Sequence, residues 1–300
     1  VPQEVLALLV AEGIAVRPGP DALAVAQDKI VMRTRLAALG LPVPAWAAVA
    51  TTAELAAFLG EHGGVAVLKT PRGGYDGKGV RVIRSADDAA DWFALGGPLL
   101  VEELVPFRRE LAQSVARRPS GETALWPLVE SIQRDGVCAE VIAPAPSSGG
   151  REAAVAAEIA IAVADGLDVT GVLAVELFET DDERILINEL AMRPHNSGHW
   201  SIEGSTTSQF EQHLRAVLDL PLGATSTVAP WTVMVNLLGG PADGDLARPR
   251  RKALGEHPDV AVHLYGKATR PGRKIGHVTA LGTDLDEVAY QARAAAAAFN

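Results

Sequence analysis

The segment Leu190-Ala191-Met192-Arg193-Pro194-His195-Asn196-Ser197-Gly198-His199-Trp200 places a guanidinium, two imidazoles and an amide within eleven consecutive positions. It follows the strand-like run Arg184-Ile185-Leu186-Ile187-Asn188-Glu189, which adds a carboxylate and a second amide. A core has no use for that density of polar groups, because each buried one must find a partner or cost about 1–3 kcal/mol. The segment is expected to line a site, one suited to anions. His195 and His199 are four apart, a spacing zinc ligands use on a helix. Pro194, Asn196, Ser197 and Gly198 predict a loop instead, in which an imidazole beside Arg193 and Asn196 handles an oxyanion and a proton.

Four further constellations accompany it. In a hairpin turning near Asp182-Glu183, Glu176 and Glu189 fall opposite or nearly opposite each other. Like charges facing across a ladder are destabilising unless a cation sits between them, and magnesium favours one or two carboxylates plus phosphate oxygens. Their apolar flanks (Val175, Leu177, Leu190) favour that reading over two carboxylates pointing at water. Lys69 ends an apolar strand and precedes Gly73-Gly74-Tyr75-Asp76-Gly77-Lys78-Gly79, in which four glycines in seven residues let the backbone approach a phosphate. The Gly-Lys-Ser/Thr of a P-loop is lacking, and a plain flexible hairpin is the competing reading. Lys267-Ala268-Thr269-Arg270-Pro271-Gly272-Arg273-Lys274 gathers four cations, either as a solvated loop or as a phosphate clamp. Glu102-Glu103-Leu104-Val105, with Glu110 after it, gains meaning only as a link between two units, where adenine and ribose would sit.

The elements that must position these groups alternate strand and helix. Glu4 to Ala11 reads as a helix, Ile14-Ala15-Val16 as a short strand, Asp21 as the cap of a second helix, and Asp28 to Leu39 as a third ending at Gly40. A small α+β unit follows, with strands at 46–50, 65–69, 80–83 and 99–102 and capped helices from Thr52 and Ser85. A second unit has strands near 111–115, 123–127 and 131–135, a long helix over 152–167, the hairpin 171–178 and 184–190, and a helix over 208–218. After Thr225 the chain turns β-rich and closes with a helix over 286–299. The expected division is 1–26, the tail of a domain beginning upstream; 27–225, with a lid at about 46–102; and 226–300, a small β-rich unit.

Composition sets outer bounds. Three hundred residues, 48% hydrophobic and 21% charged, give ample length for a real core. A net charge of −10 argues against a general nucleic-acid or acidic-membrane binder, so any basic anion site is local. Cys138 is the only cysteine, which excludes an internal disulfide and cysteine-rich zinc modules and fits a reducing cytoplasm. The Ala-rich run 153–164 is too short to span a bilayer. The chain begins Val1-Pro2-Gln3, and residues upstream of it are expected.

Together these segments resemble the ATP-grasp enzymes, and among them the 5-(carboxyamino)imidazole ribonucleotide synthases of purine biosynthesis. The resemblance runs from Gln27-Asp28-Lys29 to Gly276-His277 and rests on Gly73 to Gly79, on Asn188-Glu189-Leu190-Ala191 with His195 to Trp200, and on Arg270 to Lys274. It implies an α+β (α/β) ATP-grasp fold, two subdomains sandwiching ATP beside an N-terminal nucleotide-fold remnant and a small β-rich C-terminal domain. It further implies Lys29 and Lys69 on the phosphates, with Gly74, Tyr75, Asp76, Gly77, Lys78, Gly79 and Val80 as a mobile lid. Glu102, Glu103, Leu104 and Val105 would hold adenine, Glu110 the ribose, and Asn188 would lie beside the phosphates; Gln133 stands where some members carry a nucleotide-side histidine. Glu176 and Glu189 would bind Mg2+. In this family the γ-phosphate passes to bicarbonate, and the carboxyphosphate formed releases carbon dioxide to the exocyclic amine of aminoimidazole ribonucleotide. Arg193, His195, Asn196 and Lys78 would serve that chemistry, with Tyr75, Asp76, Lys267, Arg273 and Lys274 holding the second substrate. The partners implied are small molecules and a second copy in a homodimer. The other readings are a formate-dependent glycinamide ribonucleotide transformylase, a metal-dependent hydrolase using His195, His199 and Glu189, and a catalytically silent ATP-binding fragment.

Overall fold

Residues 2–74, 79–146 and 150–299 are described by the computed structural model of the chain. α1 (Gln3–Ala11) and α2 (Pro20–Gln27) start without side-chain caps. Asp21 therefore does not cap α2: Gly19 precedes it and Pro20 opens the first turn, where a missing N–H costs nothing. Nor is Ile14–Val16 a strand. No strand lies beside it to pair with among the described residues, and the Ile14 N–H turns back onto the Leu9 carbonyl at 2.9 Å. α3 (Lys29–Ala38) is capped by Asp28, whose carboxylate accepts from the Ile30 and Val31 N–H groups at 3.0 and 3.2 Å. This cap places Lys29 at the first helical position. Asp28→Ala is expected to destabilise the protein by about 1 kcal/mol in urea denaturation; an unchanged midpoint would show the cap to be idle.

The smaller unit contains β1 (Trp46–Val49), α4 (Thr52–Glu61), β2 (Ala66–Lys69), β3 (Val80–Ile83), the short α5 (Ala90–Phe93) and β4 (Leu99–Glu103). Its four strands form an antiparallel sheet in the order β1-β4-β2-β3. Period-two alternation divides β2: Ala66 and Leu68 are buried with Leu55 and Phe58 of α4, while Val67 and Lys69 face a cleft.

The larger unit is built on one long sheet. Its first strands are β5 (Phe107–Arg117), β6 (Thr123–Leu125), β7 (Val129–Arg134) and β8 (Val137–Ala143). α6 (Gly150–Gly166) lies over β5 and, further along the chain, β9 (Gly171–Thr180) and β10 (Ile185–Ala191), with Ile159 and Val163 packed among Leu173, Val175 and Leu177. α7 (Ser201–Gly204) and α8 (Gln209–Val217) follow, then β11 (Trp231–Leu238), α9 (Ala247–Glu256), β12 (Ala261–Leu264), β13 (Lys274–Gly282) and α10 (Leu285–Ala297). The sheet order is β10-β9-β5-β7-β8-β11-β13-β12, with β6 beside β5. The β-rich C-terminal segment thus extends the same sheet through β11 on β8 rather than forming one of its own. Every strand pairing among the described residues is antiparallel, so the architecture is α+β.

β8 was not evident from its apolar run alone. The usable signal is Asp135-Gly136, with φ of 52° and 73°, which turns β7 into β8. No helix among the described residues is long and apolar enough to cross a membrane.

Candidate active site

A cleft of about 750 Å³ separates the two sheets. The smaller unit contributes Lys69, Gly74, Val80 and the strand end Glu102, Glu103, Leu104 and Val105. Across from them stand Glu110 of β5, Gln133 of β7, Glu176 of β9, and Asn188 and Glu189 of β10. Lys29 of α3, Arg193, His195 and Asn196 from the loop after β10, and Lys274 of β13 complete the lining. Elements separated by more than two hundred residues therefore converge on one space.

The centre of the site is a bulge. Glu189 pairs directly with Glu176, but the register slips between Ile187 and Glu189, leaving Asn188 as an extra residue. Consecutive strand residues ordinarily point to opposite faces; a bulge relaxes this, so Asn188 and Glu189 both line the cleft. Lys69 Nζ donates to Asn188 Oδ1 at 3.3 Å, and Lys29 Nζ to Glu189 Oε1 at 3.2 Å. Arg33, fully buried in α3, donates through Nη2 to the Asn188 carbonyl at 2.7 Å and through Nε to Glu102. Lys69 Nζ also lies 2.5 Å from Glu102 Oε2. Burial pushes the Glu102 carboxyl up, but Lys69 and Arg33 outweigh it and hold it below the usual carboxylate range. Arg33 escapes sequence reasoning because an arginine inside a helix reads as surface.

The opposite wall has an excess of acid. Burial, with the charges of Glu189 and Glu110, pushes Glu176 up to about 7. Burial likewise raises Glu110 to about 7, against the pull of Lys69. Glu176 and Glu189, in direct register, are a pair of like charges that a hard cation would relieve.

The loop after β10 is held in detail. His195 Nε2 lies 3.3 Å from Glu176 Oε1, and its Nδ1 is 2.9 Å from Ser197 Oγ. Asn196 exchanges hydrogen bonds with the Asn236 amide at 3.0 and 2.7 Å, so its side chain ties the loop to β11. Arg193 is exposed at the mouth, its Nη1 donating to the Pro194 carbonyl at 3.1 Å. His199 turns elsewhere: its Nδ1 meets Gln209 Nε2 at 2.8 Å, and its ring stacks on His277 at 5.1 Å between centroids. The imidazoles of His195 and His199 thus have separate partners, and no group of three or more His, Cys, Asp or Glu poised for a metal occurs among the described residues.

Some expected residues are not brought into the lining. The Lys267 ammonium lies over the Tyr265 ring, 5.2 Å from its centroid, and Arg273 Nη1 donates to the Ala268 carbonyl at 3.4 Å. Tyr75, Asp76, Gly77 and Lys78 lie outside the described residues. The base of their loop is closed by the Thr70 N–H donating to the Gly79 carbonyl at 2.9 Å. Gly79 has φ +70°, and a Cβ there would stand 2.4 Å from Thr70 Oγ1, so only glycine suits this return point.

Comparison with known proteins agrees with this geometry. The ATP-grasp domain family matches residues 34–210, and the phosphoribosylaminoimidazole carboxylase C-terminal domain family matches residues 232–291. The N5-carboxyaminoimidazole ribonucleotide synthase of Mycobacterium tuberculosis (strain ATCC 25618 / H37Rv) is 52% identical over 302 residues, covering 99% of this chain and 70% of that protein. That of Corynebacterium ammoniagenes is 50% identical over 307 residues, covering 99% and 74%. Among solved structures, the Aspergillus clavatus N5-carboxyaminoimidazole synthase in complex with ADP and 5-aminoimidazole ribonucleotide superposes with a TM-score of 0.89 at 32% identity, covering 98% of this chain and 79% of that one.

Proposed function

This chain belongs to the ATP-grasp family and within it to the N5-carboxyaminoimidazole ribonucleotide synthases, and from that premise we propose how its residues perform the reaction. The reaction is the ATP-dependent carboxylation of 5-aminoimidazole ribonucleotide in purine biosynthesis, a carbon–nitrogen ligation. The observation that carries the assignment of roles is the Glu176–Glu189 register pair, facing Lys29 and Lys69 across one cleft, with His195 beside Glu176.

ATP lies between the sheets, with adenine along Glu102 to Val105, the ribose at Glu110, and Lys29 and Lys69 neutralising the phosphates. Gln133, which lines the cleft, belongs in this proposal to the nucleotide's side. Glu176 and Glu189 would hold Mg2+, which when bound would supply neutralisation of phosphate charge. A bicarbonate oxygen attacks the γ-phosphorus and ADP leaves, giving carboxyphosphate. This species is labile in water, so the loop from Gly74 to Gly79 serves by excluding solvent. Arg193 at the mouth clamps the bicarbonate-derived oxygens. Carboxyphosphate breaks down to carbon dioxide and phosphate, and the exocyclic amine of the ribonucleotide attacks the carbon. His195 takes the proton that this nitrogen loses. Lys274 meets the ribonucleotide phosphate inside the cleft, and Lys267 and Arg273, which are not in its lining, belong to the same proposal. Tyr75, Asp76 and Lys78 belong to the same proposal. Asn196, with its amide tied to Asn236, keeps the loop in place.

We place the enzyme in the cytoplasm as a homodimer, a state that sedimentation velocity reads directly. The division at 1–26, 27–225 and 226–300 belongs to the same reading.

The test is ADP release with magnesium, ATP and bicarbonate, with and without 5-aminoimidazole ribonucleotide. The expected result is stimulation that needs bicarbonate and ribonucleotide together, and that formate does not replace. ATP binding with ADP release at background in every combination would contradict these roles.

A further inference from the structure

Gln209, the first residue of α8, is only 1% exposed and every polar atom of its amide is engaged. Its Oε1 accepts the His195 N–H at 2.8 Å, and its Nε2 donates to the His195 carbonyl at 2.8 Å. Both backbone groups of one residue are thus held by one side chain, as a neighbouring strand would hold them. The second Nε2 proton points at His199 Nδ1, 2.8 Å away. An amide nitrogen only donates, so His199 Nδ1 accepts and the ring is the neutral Nε2–H tautomer. Burial, then the positive charge of Lys274, lowers His199 to about 4, in keeping with a neutral ring.

The surroundings fix the amide in turn. The Gln209 N–H donates to Ser201 Oγ at 2.9 Å, and that hydroxyl donates to the Gly198 carbonyl at 2.6 Å. A Cβ on Gly198 would stand 2.4 Å from Gln209 Oε1, so glycine at 198 leaves room for the clamp.

We infer that Gln209 is a positioning residue for the carboxylation, setting the His195 backbone so that its imidazole faces Glu176 and the reacting amine. The inference rests on the role proposed above for His195. Gln209 touches no substrate. Its effect is geometric: a displacement of about 1 Å in a reacting group can cost on the order of 100-fold in rate.

The test uses the full chain and the near-isosteric variants Gln209→Glu and Gln209→Met, each checked for folding by its thermal midpoint. In Gln209→Glu a carboxylate oxygen replaces the donor toward His199, so His199 should acquire a proton on Nδ1, seen in imidazole 1H–15N spectra. For both variants kcat should fall about 100-fold while KM for ATP, whose contacts come from other elements, stays within about twofold. Gln209→Met, which adds no charge, carries the kinetic test if Gln209→Glu does not fold. A folded variant with kcat within about twofold of the parent overturns the positioning role. A His199 Nδ1 that stays unprotonated in folded Gln209→Glu overturns the clamp itself. If the parent shows no ribonucleotide-stimulated ADP release, the reaction assignment fails, and the imidazole spectra still decide the clamp.

Discussion

Glu189→Gln is expected to lower ribonucleotide-stimulated ADP release by about 100-fold or more, the loss seen when one preorganised charge contact to a transition state is removed. The substitution keeps the shape of the side chain and deletes only its charge. It leaves Glu176 without its register partner and Lys29 without the carboxylate 3.2 Å away. Phosphoryl transfer depends on positioning and charge neutralisation more than on covalent help from the protein, so halving the carboxylate pair acts on the main source of acceleration. The expected pattern is a fall in kcat that added magnesium does not reverse, with the thermal midpoint close to that of the parent because the Glu189 side chain is 42% exposed. Turnover near the parent's level would remove Glu189 from the mechanism.

Arg33→Met has the largest expected effect on stability. The Arg33 side chain is 0% exposed and that of Glu102 3% exposed, and the substitution leaves Glu102 with Lys69 alone and the Asn188 carbonyl without its donor. Breaking a buried pair by removing one partner costs about 3–5 kcal/mol, whereas removing both can be nearly neutral. Arg33→Met should therefore lose about that much in urea denaturation, and the double variant with Glu102→Met should recover most of it. The sign of the pH dependence follows from Glu102, which Lys69 and Arg33 hold below the usual range despite burial. Its contribution is fully present above the unfolded carboxylate value of about 4.3 and is lost as pH falls through the lower folded value. The gap between parent and Arg33→Met should thus be widest near neutrality and close in acid. A gap that widens in acid would show that Glu102 is not the group responsible.

Much of the site was legible because it follows local periodicity. Period two put Lys69 at the cleft end of β2, the position of the turn brought Glu176 and Glu189 near each other with the bulge completing their register, and the glycine at 79 marked the return point of its loop. What stayed hidden depends on long-range partners. Asn188 shares a face with Glu189 only because of a bulge, and nothing in a run of six residues announces an extra one. Arg33 finds its acceptors 69 and 155 residues away, and the Gln209 clamp spans 14 residues from helix to loop. Asn196 has the chemistry of an oxyanion donor, yet its amide meets Asn236, 40 residues on. Ile14–Val16 has strand composition but, among the described residues, no neighbouring edge to join.

The extra residue at Asn188 also decides which changes of length the β9–β10 hairpin can survive. Residues 181 to 184 at its tip are exposed, and additions between 181 and 183 extend the turn while leaving Glu176 opposite Glu189. Deleting residue 187 would restore strict alternation, sending the amide to the packed layer beneath α6 while the carboxylate stays on the cleft face, and deleting residue 188 would remove the amide itself. Insertions and deletions among chains of this fold should therefore gather at the tip and stop short of the bulge. A designer grafting this hairpin elsewhere would have to carry the irregular residue along with the two acids.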